Sequence, residues 1–186
     1  MACTLILGGA RSGKSALAER LAQESGREVT YIATSRAGDG EMSARIAHHR
    51  ARRPAHWHTV EEALLLADTL RRTCTAGRLV LVDCLTLWLT NLMLDGAAAV
   101  PEVGDFALPP HFDQQRHALL DLLDAGLPGE LLLVSNEVGM GIVPMGALAR
   151  RYADEAGRLH QAVAARAGRV ILVAAGLPLV LKGPPC

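Results

Sequence analysis

At 186 residues the chain falls within the size of one domain and is long enough to bury a substantial core. Basic and acidic residues balance at 19 each, and only 3% of residues are aromatic. That neutrality excludes a general pull toward nucleic acid or an anionic membrane, and the scarcity of rings excludes a base-stacking platform. Any anionic ligand must be held by a local site.

The chain opens Met-Ala-Cys-Thr-Leu-Ile-Leu, a short apolar run without a basic flank, which reads as a first strand over residues 4–7 and not as a signal peptide. A helical stretch over 14–24 follows, then a strand over 29–33, helices near 41–52 and 61–72, and a third strand over 79–83. The helix over 84–94 precedes a Gly- and Pro-containing segment at 95–110, which is expected to be a loop. A helix over 112–124, a strand over 131–135, a helix over 147–166 and a strand over 170–174 complete the alternation. In the helix at 147–166, Leu148, Tyr152, Ala156, Leu159 and Val163 form one apolar stripe. Residues 177–181, set off by Gly176 and Pro178, are expected to add an edge strand. Short strands that are apolar on both faces and alternate with helices imply a three-layer α/β fold with a mainly parallel central sheet, in a single domain over 1–186. The apolar stretch 79–94 contains Asp83, Thr86, Thr90 and Asn91 and is too short to span a membrane. Cys3, Cys74, Cys84 and Cys186 form no CxxC pair or zinc spacing, so reduced thiols in the cytoplasm are expected.

The first strand runs into Gly8, Gly9, Ala10, Arg11, Ser12, Gly13, Lys14 and Ser15, and a helix begins there. This is G-x4-G-K-S in the strand–loop–helix setting the motif requires. Glycines let successive N–H groups point at phosphate oxygens, and the helix N-terminus adds partial positive charge. Lys14 would reach the outer phosphates and the Ser15 hydroxyl would ligate Mg²⁺. Of 19 basic residues only Lys14 and Lys182 are lysines. One of those two stands where a compact ammonium suits phosphate better than a planar guanidinium. A purine nucleoside triphosphate is the ligand this loop implies.

Asp83 closes the third strand and reads as a second Mg²⁺ ligand, direct or through water. The second strand ends at Ala33-Thr34-Ser35. Beyond it Arg45, His48, His49, Arg50, Arg52, Arg53, His56 and His58 crowd into a basic stretch, which is either a solvated helix face or a second nucleotide contact with a reactive imidazole. Adjacent helical residues point about 100° apart, so His48 and His49 play different parts, and spacing does not choose between them. The fourth strand ends in Asn136-Glu137 and a loop holding Gly139 and Gly141, at the strand end where open α/β sheets bind ligands.

Together the phosphate loop, residues 31–35, Glu41-Met42 through His48-His49, Arg53-Pro54-Ala55-His56-Trp57 and the string from Asn136 to Pro144 resemble the bifunctional adenosylcobinamide kinase / adenosylcobinamide-phosphate guanylyltransferase family of cobalamin biosynthesis. The resemblance implies a RecA-like, cytoplasmic homotrimer. It implies phosphorylation of adenosylcobinamide by GTP or ATP, then transfer of GMP from GTP to that phosphate through a guanylylated histidine. It puts the nucleophile on His48, with Lys14 as the other catalytic residue and Ser15 and Asp83 on the metal. Nucleotide contacts fall on Gly8 to Ser15, on Ala33, Thr34 and Ser35, on His49, Arg50, Ala51, Arg52 and Arg53, and on Glu61 and Asp83. A simple small-molecule kinase without a covalent nucleotide intermediate is the alternative; a GTP-binding switch lacks the Asn-Lys-x-Asp segment it would need.

Overall fold

A computed structural model describes residues 2–36, 54–96 and 106–185. Seven strands form one sheet: β1 (Ala2–Gly8), β2 (Glu28–Ala33), β3 (His58–Glu61), β4 (Arg78–Asp83), β5 (Glu130–Asn136), β6 (Arg169–Ala174) and β7 (Leu177–Lys182). Their spatial order is β3-β2-β4-β5-β1-β6-β7. Every neighbouring pair is parallel except β6 and β7. The described helices are α1 (Lys14–Glu24), α2 (Leu66–Thr73), α3 (Leu85–Leu94), α4 (Pro110–Ala125) and α5 (Ala147–Arg166).

Strand residues alternate between two cores because successive side chains leave a strand on opposite faces. Leu5, Val80, Val82, Leu131 and Leu133 pack with Leu66, Leu70, Trp88, Phe112 and Leu159 from α2 to α5. Ile6, Leu79, Leu81, Leu132 and Val134 face the other way, toward Leu17, Ala18 and Ala22 of α1 and Trp57. This is the expected three-layer arrangement. Trp88 is fully buried in this core, and its indole N–H is satisfied by donating to the Leu64 carbonyl at 2.9 Å.

Two boundaries differ from the sequence reading. Residues 58–61 form a parallel edge strand beside β2, with Thr30 opposite His58 and Ala33 opposite Glu61. The helix expected from Glu61 therefore begins only at Leu66. Glu62 sets that start, since its carboxylate accepts from the N–H groups of Leu64 and Leu65 at 2.9 and 2.8 Å, satisfying donors that open a helical turn. The expected edge strand is present as β7, and it turns antiparallel through a tight connection at Ala175 and Gly176, both with positive φ. The helix expected at 41–52 lies outside the described residues.

Candidate active site

The phosphate loop connects β1 to α1, and its neighbours define its path. A Cβ on Gly8 would lie 2.6 Å from the Val173 carbonyl oxygen of β6 and closer still to Ser12 Oγ, so no side chain fits there. Around Gly9 nothing lies within 4 Å of such an atom, which leaves the backbone open to a ligand. Gly13 takes φ +97° and caps α1 without a side-chain hydrogen bond. The first-turn N–H groups of α1 thus have no side-chain acceptor at the cap, the condition that suits a phosphate. Lys14 curls back so that Nζ donates to the Gly9 carbonyl at 3.3 Å. From the other side Gly176 N–H donates to the Ser12 carbonyl at 2.8 Å, and the Gly176 Cα sits 3.1 Å from the point a Gly13 Cβ would occupy. The β6–β7 turn braces the loop.

Two strands over, β4 ends at Asp83. Tyr31, only 2% exposed, donates its hydroxyl to Asp83 Oδ2 at 2.7 Å. This charge-assisted bond holds one carboxylate oxygen and directs the rotamer. Thr34 ties β2 to the next residue: its Oγ1 donates to the Cys84 carbonyl at 2.7 Å and accepts from Cys84 N–H at 2.9 Å. Asn91 of α3 donates to the Thr34 carbonyl at 2.7 Å. In register, Ala33 is opposite both Asp83 and Glu61, so these three lie in one row across the carboxyl ends of β4, β2 and β3. Burial pushes the Cys84 thiol up to about 11, with the Asp83 charge adding to it.

Between the loop and Asp83 runs β5, with Asn136 opposite Gly8. Glu137 N–H donates to the Gly8 carbonyl at 3.0 Å. A partly buried polar chain supports this corner. Asn136 N–H donates to Thr86 Oγ1 at 2.6 Å, Thr86 Oγ1 meets Ser135 Oγ at 3.3 Å, and Ser135 Oγ meets His160 Nε2 at 2.8 Å. His160 Nδ1 then faces Glu137 Oε2 at 3.9 Å. Burial pushes the His160 imidazole below its ordinary value against the opposing pull of the Glu137 carboxylate. Sequence reading marked Asn136-Glu137 but missed His160, which sits next to Leu159 in an apolar helix and has no local motif. Tyr31 was likewise read only as part of a strand.

Next to this corner is a mostly apolar cavity of about 450 Å³, lined by Thr86, Thr90, Val138, Pro144, Leu148 and Tyr152 among others. The loop beyond Val138 presents Met140, Ile142, Val143 and Met145 to solvent, with Ile142 98% exposed.

Of the residues singled out in the sequence, Gly8 to Ser15, Ala33 to Ser35, Glu61 and Asp83 all lie along the carboxyl edge of the sheet. His48, His49, Arg50, Ala51, Arg52 and Arg53 lie outside the described residues. Among the described residues no cluster of three His, Cys, Asp or Glu side chains forms a metal cage. Ser15 and Asp83 offer a hydroxyl and a carboxylate, the sparse hard-oxygen set that suits Mg²⁺ shared with a triphosphate.

A strand–loop–helix phosphate site, with an acidic strand end separated from it by one interposed strand, defines a P-loop nucleotide-binding enzyme of RecA-like fold. Solved structures agree at the level of fold. An ATPase of the type III secretion system of pathogenic bacteria superposes with a TM-score of 0.56 at 14% identity, covering 96% of this chain and 56% of that one. The flagellar accessory protein FlaH of Methanocaldococcus jannaschii gives 0.50 at 13% identity, covering 98% of this chain and 78% of its own. The family model described as cobinamide kinase / cobinamide phosphate guanyltransferase matches residues 4–181, and the chain belongs to that family. It is 62% identical over 181 residues to the bifunctional adenosylcobalamin biosynthesis protein CobP of Pseudomonas aeruginosa, covering 97% of this chain and 98% of that one. It is 43% identical over 182 residues to CobU of Escherichia coli K12, with 96% and 98% covered. The protein is a bifunctional kinase and guanylyltransferase of adenosylcobalamin biosynthesis, and the kinase-only alternative gives way to it.

Proposed function

We propose that this chain, working as one P-loop domain, phosphorylates adenosylcobinamide with GTP or ATP. It then transfers GMP from GTP to the resulting phosphate through His48. The observation that carries the reading is the pairing of a phosphate loop with a Tyr31-held Asp83 across one strand. Lys14 neutralises the outer phosphates. Ser15 and Asp83 hold Mg²⁺, which when bound spreads the charge on the phosphates. Ala33, Thr34, Ser35, His49, Arg50, Ala51, Arg52, Arg53 and Glu61 contact the nucleotide.

In guanylyl transfer the neutral His48 imidazole attacks the α-phosphorus of GTP and pyrophosphate leaves. The phosphate oxygen of the acceptor then attacks the same phosphorus and frees the imidazole. A free imidazole titrates near 6.5, so it is mostly neutral and nucleophilic at neutral pH. The enzyme works in the cytoplasm; among the described residues no helix is long and apolar enough to cross a membrane.

Intact mass after incubation with GTP and Mg²⁺ tests this. The wild type gains one GMP, labile in acid because protonating the nitrogen makes it a good leaving group. His48→Ala gains none yet still binds triphosphate, His49→Ala gains it with weaker affinity, and Lys14→Ala loses triphosphate use in both half-reactions. A modified His48→Ala beside an unmodified His49→Ala reverses the assignment within the pair.

A further inference from the structure

The two half-reactions make different demands on protons. The kinase step must turn an alcohol oxygen into a nucleophile, and its proton has to go somewhere. The guanylyl step uses a phosphate, which is ionised at neutral pH and needs no base. A proton acceptor near the phosphate loop would therefore serve one activity and not the other.

The carboxyl edge of the sheet offers few groups for this role among the described residues. The Cys84 side chain is buried in the core, only 8% exposed. Asp83 is engaged by Tyr31 and assigned to the metal. Glu62 has both oxygens occupied, by Leu64 and Leu65 N–H and by Thr69 Oγ1. Glu61 sits on the outermost strand, with β2, β4 and β5 between it and β1. Glu137 differs from all of these. It leaves the sheet at the end of β5, in the gap between the phosphate loop and Asp83, and its own N–H is bonded to Gly8.

We propose that Glu137 is the general base of the kinase half-reaction and that His160 positions it. Two contacts hold the carboxylate. Gly139 N–H donates to Oε1, and the His160 ring faces Oε2 at 3.9 Å. The polar chain is compatible with the ring tautomer that serves this role. Thr86 Oγ1 accepts from Asn136 N–H, so its proton can pass to Ser135 Oγ and the Ser135 proton to His160 Nε2. The ring hydrogen then sits on Nδ1 and points at Glu137; the opposite direction would turn a nitrogen lone pair toward a carboxylate. An ionised carboxylate has about four acceptor sites, so these contacts leave room for a substrate hydroxyl. The Glu137 side chain is 20% exposed, open to such a partner. Val138, the next residue, lines the 450 Å³ cavity together with Thr86 and Tyr152, and the cavity gives apolar room to the arm that carries the hydroxyl.

The step balances as follows. The acceptor O–H proton passes to a Glu137 carboxylate oxygen while the acceptor oxygen bonds to the γ-phosphorus. The bond from that phosphorus to the β–γ bridging oxygen breaks and the nucleoside diphosphate leaves. Glu137 then releases the proton to water.

The inference rests on the two-step activity, and the two activities serve as its controls. Phosphorylation of adenosylcobinamide is measured beside guanylyl transfer from GTP to separately supplied adenosylcobinamide phosphate. Glu137→Gln is expected to lower kinase kcat by about 100-fold or more, the usual share of a general base, with the triphosphate KM within about threefold of wild type. Its guanylyl transfer stays within severalfold of wild type. Glu137→Asp recovers part of the kinase rate. His160→Gln lowers kinase kcat by about tenfold with KM unchanged, and adds no further loss when combined with Glu137→Gln. Parallel loss of both activities in Glu137→Gln, with no selective recovery in Glu137→Asp, would overturn the proposal, as would an undiminished kinase kcat. Wild-type guanylyl transfer without a GMP–enzyme intermediate would instead count against the His48 reading and leave this inference standing.

Discussion

Tyr31 and His160 act through single atoms. The Tyr31 hydroxyl is buried and donates to Asp83, and a hydrogen bond to a charged group contributes about 1.5–3 kcal/mol. Tyr31→Phe keeps the ring in the core and removes only that donor, so about tenfold more Mg²⁺ should be needed for half-maximal turnover, with the fold intact by circular dichroism. An unchanged Mg²⁺ dependence would show that Asp83 needs no orienting partner. His160 carries a consequence for stability. Its folded value is lowered from the ordinary 6.5, chiefly by burial. Below pH 6.5 the unfolded chain takes up this proton more readily than the folded one. Stability is therefore complete above 6.5 and falls as pH drops toward the lowered value. Melting temperatures measured from pH 7 down to about 5 should fall more steeply for wild type than for His160→Gln, and parallel curves would remove His160 as the cause. Neither role was legible in the sequence. Tyr31 reads as one more apolar strand residue and His160 as one more helical one, because their partners Asp83, Ser135 and Glu137 are distant along the chain.

Elements were easier to read than contacts. The bounds of α1 and α5 follow directly from their sequences, since a glycine loop opens the first and an uninterrupted apolar stripe runs through the second. The five buried strands stand out because each is apolar on both faces, and only a parallel sheet covered on two sides asks for that. β3 was missed because its four residues are mostly exposed and polar, and only pairing with β2 makes them a strand. In the phosphate loop the steric demand is explicit. Gly8→Ala would drive a methyl group into the Val173 carbonyl and the Ser12 side chain. Because the carbonyl belongs to β6, held between β1 and β7, it cannot move cheaply. This variant is expected to lose nucleotide affinity by at least about tenfold and to melt several degrees lower. Gly9→Ala, in open space on the protein side, should melt like wild type while still weakening triphosphate binding, and calorimetry with GTP separates the two. Equal effects at both positions would contradict this account.

At the scale of the whole molecule, apolar surface remains to be covered. Met140, Ile142, Val143 and Met145 are between 72% and 98% exposed on one loop, and Leu177, Leu179 and Leu181 are more than half exposed on the edge strand β7. Exposed patches of this kind mark interfaces. The homotrimer and the corrinoid site near a subunit boundary are expectations from the family resemblance alone; if this loop lies in that interface, Ile142→Asp or Met145→Asp should shift the assembly toward monomer. Light scattering at micromolar concentration checks both, and a monomeric wild type would reject the assembly.

The brace between the β6–β7 turn and the phosphate loop also bears on how the protein is made. Synthesis delivers residues 8–15 early, but the N–H group that holds the Ser12 carbonyl and the backbone packed beside Gly13 both belong to Gly176. A nascent or prematurely released chain carries the loop's sequence without its support. Such a fragment should leave cellular GTP and ATP alone. Competence to hold a triphosphate is acquired late and all at once, when the β6–β7 turn emerges and closes against an element translated long before it.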